Sequence, residues 1–135
     1  MGQTVNFNIN ASLHTTCREI SRSRTSVLSY LVKLNRCIDA NHRDLVLSLS
    51  QRFSEALIDY ISYGHFRLLD QITPEPHHRA ALDNITALTL RFDEKYNQSH
   101  TRLSLQELKL DLEQIALAME ARFEIEDEVV KLAVA

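Results

Sequence analysis

Between Phe53 and Ile72 the apolar residues recur at the spacing of a helix. Phe53, Leu57, Tyr60, Ile61, Gly64, Leu68 and Ile72 fall on one side at 100° per residue. Ala56, Ile58 and Leu69 widen that stripe beyond the roughly 100° arc of a surface helix. Neighbours are then needed on more than one side, so this stretch is the expected central helix of a bundle. Gly64 stands inside the apolar face, where glycine costs a helix about 1 kcal/mol relative to alanine. Close approach of another helix is the expected compensation. The opposite face carries Asp59, Tyr63, Phe66 and Asp70, two aromatics between two acids. Either another helix covers them, or they form a protein-binding patch.

The rest of the chain supplies the neighbours. Residues 1–11 lack periodicity and read as a loose arm. Thr16-x-x-Glu19 has capping-box spacing, and Leu13, Cys17 and Ile20 make a brief apolar edge. Ser21–Ser26 has poor helix propensity and no core residue, which predicts a break or kink. With Arg18 it forms a small basic cluster, either a solvated helix junction or a phosphate-binding site; the absence of an aromatic among the arginines favours the junction. Val27, Leu28, Leu31, Leu34 and Ile38 predict an amphipathic helix over residues 25–39. The polar joint Asp39–His42 turns the next helix antiparallel. That helix starts near Asp44 and runs through Leu45 and Leu49 into the central stretch. Thr73-Pro74-Glu75-Pro76 ends it, since proline lacks the donor and clashes with the preceding turn. A further helix is expected over about residues 79–97, with Ala81, Ile85, Leu88, Phe92 and Tyr96 inward and Leu82 beside them. Asn97–Thr101 is a polar loop. Ser104-x-x-Glu107 is a capping box for a last helix reaching about Ala133. Its seam is Leu105, Leu108, Leu112, Ile115, Met119 and Phe123. A second apolar line, Leu110, Leu117, Ala121, Ile125 and Leu132, calls for another neighbour or a partner. The expected fold is all-α, an antiparallel bundle of four main helices with a short additional N-terminal helix, in a single domain over residues 1–135.

Composition narrows the function classes. The 135 residues are 44% apolar, and two glycines and two prolines leave little turn chemistry for a β-sandwich. A net charge of −3 argues against a general nucleic-acid binder. No run of 18 apolar residues is present, so no membrane span is expected, and the N-terminus lacks a signal-peptide core. Met1-Gly2 is followed by Asn6, where myristoylation wants Ser or Thr. Localisation is expected to be cytoplasmic, with Cys17 and Cys37 reduced and facing apolar neighbours.

Chemistry concentrates at one place. Glu126 lies 21 residues after Leu105 and so falls on the apolar seam of the last helix, with Arg122 one turn before it. A buried carboxylate is costly unless paired. A buried polar cluster of Arg122 and Glu126 is therefore expected, joined by Asp59, Tyr60 or His65 from the central helix. Such a cluster either locks helix register or lines a groove for a partner. No nucleophile with its base and no oxyanion site is present, so an enzyme is not expected. Glu75-Pro76-His77-His78 contains Glu-x-x-His, the di-iron bundle spacing. It occurs once, in a proline-broken loop, so no metal and no cofactor is expected.

Two runs carry a family resemblance. Asp59, Tyr60, Ser62, Gly64, His65 and Phe66 stand as DYxSxGHF, and Ala118–Asp127 reads AMEARFEIED. Both are similar, in order and spacing, to the signature segments of the Rsd/AlgQ family of bacterial anti-sigma factors. The resemblance implies a helical bundle that binds the primary sigma factor at its C-terminal, −35-reading region and hinders its assembly with core RNA polymerase. It implies no direct nucleic-acid contact. That sigma region is a basic helix-turn-helix unit, to which an acidic, aromatic face of Asp59, Tyr63, Phe66 and Asp70 is suited. The alternative is a helical-bundle adaptor with a different regulatory partner, or a homo-oligomer joined through Ile125 and Leu132.

Overall fold

Leu13, Ile20, Val27 and Leu34 stand seven residues apart, and all four are buried. That repeat is the seam of one continuous helix, α1, Gly2–Asp39. The computed structural model describes residues 2–97 and 103–134. Its 38-residue first helix spans about 57 Å. The loose arm, the short separate N-terminal helix and the break at Ser21–Ser26 are accordingly absent. The seam continues through the Ser/Arg run, and packing overrides its weak propensity. Thr16 and Glu19, expected as a cap, lie inside α1.

Helix α1 ends in a turn at Ala40–Asn41, where Asn41 takes the left-handed conformation with φ 59°. Helix α2 (Arg43–Ile61) then runs back along α1. It continues into a π-helical stretch, Ser62–Leu68, and a last turn, α3 (Leu69–Gln71). Phe53, Leu57, Tyr60, Ile61 and Leu68 are buried as the periodicity requires. The π-helical widening was not expected. It falls around Gly64, and π turns of this kind recur at functional sites.

Extended backbone at Ile72 ends this helix. Helix α4 (Pro76–Tyr96) begins three residues earlier than expected, because Pro76 sits at its first position, where a missing N–H costs nothing. Its inward face also differs. Leu82, Thr89, Phe92 and Tyr96 are buried, whereas Ala81, Ile85 and Leu88 are only half-buried. Thr89 tolerates burial because its hydroxyl donates to the Ile85 carbonyl at 2.8 Å. The expected Asn97–Thr101 loop lies, beyond Asn97, outside the described residues. Helix α5 (Leu105–Val134) is capped as expected, the Glu107 N–H donating to Ser104 Oγ at 3.2 Å. Its buried seam is Leu108, Leu112, Ile115, Met119, Arg122, Glu126 and Val129, in alternating steps of four and three. Of the second apolar line, Leu110, Leu117 and Leu132 face outward, 58%, 68% and 51% exposed, while Ile125 is half-buried.

The helices contact in the cycle α1–α2–α4–α5 and back to α1. Side-chain pairs fix the directions. Arg24 and Thr16 of α1 meet Tyr60 and Gln71, Ser54 of α2 meets Asp93 of α4, and Thr86 of α4 meets Arg122 of α5. Each neighbouring pair is antiparallel, giving an all-α four-helix bundle without strands among the described residues. Phe53 and Phe92 meet edge to face at 5.7 Å in its centre. Among the described residues, no helix is long and apolar enough to cross a membrane.

Candidate functional site

The stretch around Gly64 has an inner and an outer face. On the inner face four helices contribute to one buried polar cluster. Glu126 of α5 is its hub, 2% exposed. One carboxylate oxygen accepts from Arg122 Nε at 3.1 Å. The other accepts from the Tyr60 hydroxyl and from Arg24 Nη2, the latter at 3.2 Å. Arg24 also donates to Tyr60 Oη at 3.0 Å and to the Phe123 carbonyl at 3.3 Å, and its guanidinium lies 4.7 Å over the Phe123 ring. Arg122 reaches α4, donating to Thr86 Oγ1 at 3.0 Å and towards the Leu82 carbonyl. At the rim Arg24 pairs with exposed Asp127 at 2.8 Å.

Gly64 is what lets the helix approach. A Cβ built there would stand 2.5 Å from Glu126 Oε2 and 3.4 Å from Arg122 Nη2. The glycine therefore lies against the carboxylate itself, closer than any side chain permits. Burial is the main force raising the Tyr60 pKa, with the Glu126 carboxylate adding to it, so the hydroxyl stays a donor. Burial alone would lower the Arg24 pKa, but the hydrogen bonds and charges of Tyr60 and Asp127 outweigh it, and the net shift is upward. Half-buried Cys17 has a raised pKa, chiefly from burial, which makes it a poor nucleophile. Tyr60 and Arg122 are fully buried with Glu126 nearly so. The cluster thus links α1, α2, α4 and α5 through buried Tyr60, Arg122 and Glu126, with half-buried Arg24 and exposed Asp127 at its rim.

Of the residues expected in this cluster, Tyr60, Arg122 and Glu126 are brought together. Asp59 is not: it is exposed, one residue and about 100° away from Tyr60. The His65 side chain lies outside the described residues. Arg24 was missed. Its signal was available, because it lies midway in the Cys17, Arg24, Leu31, Ile38 repeat of sevens that flanks the α1 seam.

On the outer face Asp59 and Asp70 are exposed, Phe66 is 63% exposed, and Tyr63 is half-buried beneath the Arg67 guanidinium at 4.8 Å. Beside this face α1 supplies the other wall of an open groove of about 540 Å³, where Glu19, Arg22 and Ser23 face Asp59, Ser62 and Tyr63. Asp59 also borders a second opening of about 560 Å³ lined by Tyr30, Arg52 and Glu55. Sequence reasoning missed the α1 wall, since those residues had been assigned to a separate helix and a break. A third groove, about 370 Å³ and apolar, runs between α1 and α5 past Leu28, Leu31, Met119 and Phe123. Away from these faces, Glu75, His77 and His78 form a cluster with metal-ligand spacing.

The family model for the regulator of the RNA polymerase sigma(70) subunit, Rsd/AlgQ, matches residues 8–134. Curated proteins named Regulator of sigma D from Yersinia pseudotuberculosis, serotypes O:1b and O:3, are each 30% identical to this chain over 105 residues. The match covers 68% of this chain and 62% of each relative's length. No solved structure matches the chain. With the two sequence runs placed on either side of one buried cluster, and a family model matched along nearly its whole length, the chain belongs to the Rsd/AlgQ family of regulators of the RNA polymerase sigma(70) subunit.

Proposed function

We propose that this chain is an anti-sigma regulator that binds the primary sigma factor through the outer face of the Asp59–Asp70 stretch. The observation that carries the reading is the two-sidedness of that stretch. Tyr60, Gly64 and Leu68 anchor it inward, while Asp59, Phe66 and Asp70 are exposed on its other side. Acids set around aromatics suit a basic helix-turn-helix surface. The charges steer and orient it, and the rings fill its gaps. Occupying the −35-reading region in this way would limit the association of sigma with core RNA polymerase. The action is by stoichiometric binding in the cytoplasm, without catalysis and without direct contact to nucleic acid. Curated relatives named Regulator of sigma D support the partner class.

The test is retention of the isolated C-terminal region of the primary sigma by this protein, repeated as salt is raised. Binding at low salt that weakens as salt rises supports the reading. Failure to retain it at any salt removes sigma as the partner of this face. A second reading, self-association, rests on the exposed line Leu110, Leu117 and Leu132 of α5. Sedimentation showing a stable dimer that Leu117→Lys converts to monomer would favour it.

A further inference from the structure

Glu75, His77 and His78 each offer a ligand atom, and these atoms all lie within 4.8 Å of one another. From the sequence this segment was set aside as a proline-broken loop. In the fold, Pro76 is the first residue of α4, so His77 and His78 belong to its first turn and Glu75 to the residue before it. Successive helix residues ordinarily diverge, yet the two imidazole rings stand 4.1 Å apart. Glu75 is held between Pro74 and Pro76 with φ −62° and ψ 153°, so the backbone presenting all three groups is already set.

We propose that Glu75, His77 and His78 form a surface binding site for a divalent transition-metal ion, with Zn²⁺ the best fit. His77 Nδ1 and Glu75 Oε2 are 3.4 Å apart. That is long for a hydrogen bond. It matches the roughly 3.3–3.4 Å edge of a tetrahedron built on zinc bonds of about 2.0–2.1 Å. His78 Nδ1 is buried and has no hydrogen-bond partner. A buried polar atom left unpaired calls for an ion or water to explain it. Two imidazoles and one carboxylate favour Zn²⁺ over Ca²⁺ or Mg²⁺, which take oxygen ligands. The nearest cation in sequence, Arg79, is directed to Asp83 at 3.5 Å, away from the cluster. The positive end of the α4 dipole opposes a cation here, and the Glu75 carboxylate offsets it. Three protein ligands with Glu75 and His77 exposed leave the fourth position open to water or to a group from another molecule.

The test is calorimetric titration of the chelator-stripped full chain with ZnCl₂ at neutral pH. One equivalent should bind. His77→Ala and His78→Ala should each weaken it about tenfold or more, while Cys17→Ser/Cys37→Ser should leave it unchanged. Circular dichroism confirms that the variants fold, and Co²⁺ absorption in the wild type reports a tetrahedral nitrogen-oxygen set. No binding in the wild type, or equal binding in the histidine variants, overturns the assignment.

Discussion

Replacing Gly64 by alanine sets two effects of opposite sign against each other. Helix propensity favours alanine by about 1 kcal/mol. Against it, the new Cβ would stand 2.5 Å from Glu126 Oε2. That oxygen is not the loose end of a mobile side chain. Arg122 holds it at 3.1 Å, while Tyr60 and Arg24 hold the other oxygen of the same carboxylate. Relief requires moving the helix or the carboxylate. Overpacking costs about 1–3 kcal/mol, and losing a buried pair outright costs about 3–5 kcal/mol. Partial loosening of the cluster therefore outweighs the propensity gain, and the net destabilisation should be about 1–3 kcal/mol. For a chain of this size that lowers the melting temperature by about 4–12 °C, read by far-ultraviolet circular dichroism. In a Glu126→Ala background no oxygen stands in the way, and Gly64→Ala should become neutral or stabilising. The two substitutions should be coupled by about 2 kcal/mol. A Gly64→Ala protein that melts at or above the wild type would refute the reasoning. So would additivity within about 0.5 kcal/mol.

The other expectations concern the same cluster and its surroundings. Glu126→Gln keeps the shape but leaves the buried Arg122 guanidinium without its counter-charge, while Arg24 keeps Asp127, and should cost about 3–5 kcal/mol in urea unfolding. Asp127→Asn removes only an exposed partner of Arg24 and should cost under about 1 kcal/mol. Equal losses for the two would mean that burial does not govern the cluster. The Tyr60 pKa is raised above its usual value of 10.0, as is that of Tyr96, chiefly by burial in each case. The folded state therefore holds these protons more tightly than the unfolded state. Their contribution to stability is complete below pH 10 and is lost as pH rises above it. Absorbance titration should show both phenols ionising only together with loss of helix. Reversible ionisation of all four tyrosines in the folded protein would contradict this.

The legible parts of the fold were those where periodicity and end signals agreed. The Phe53–Leu68 stripe, the α5 seam from Leu108 to Met119 and the Ser104 cap needed no tertiary information, whereas Leu105 and Phe123, expected on that seam, are only half-buried. Helix α1 was misread because local propensity was weighed above the seven-residue repeat of Leu13, Ile20, Val27 and Leu34. Packing, which propensity does not contain, decides that segment. The same error hid Arg24, the second cation of the cluster. Glu126 was legible because a carboxylate on an apolar seam demands a partner. Asp59 was misplaced because neighbours in sequence point about 100° apart on a helix. The π-helical widening at Ser62–Leu68 was not legible. It arises where Gly64 meets Glu126, a contact between helices more than 60 residues apart in the chain.

The central claim is that the outer face of the Asp59–Asp70 stretch engages sigma while the inner face only supports it. The direct measurement is calorimetric binding of the isolated C-terminal sigma region to the wild type and to Tyr63→Ala and Phe66→Ala, each with its thermal melt. The account predicts that both variants bind at least about tenfold more weakly and that Phe66→Ala melts within a few degrees of the wild type. Undiminished binding by both variants would place the interface elsewhere. A large fall in the Phe66→Ala melt would make that residue part of the core instead.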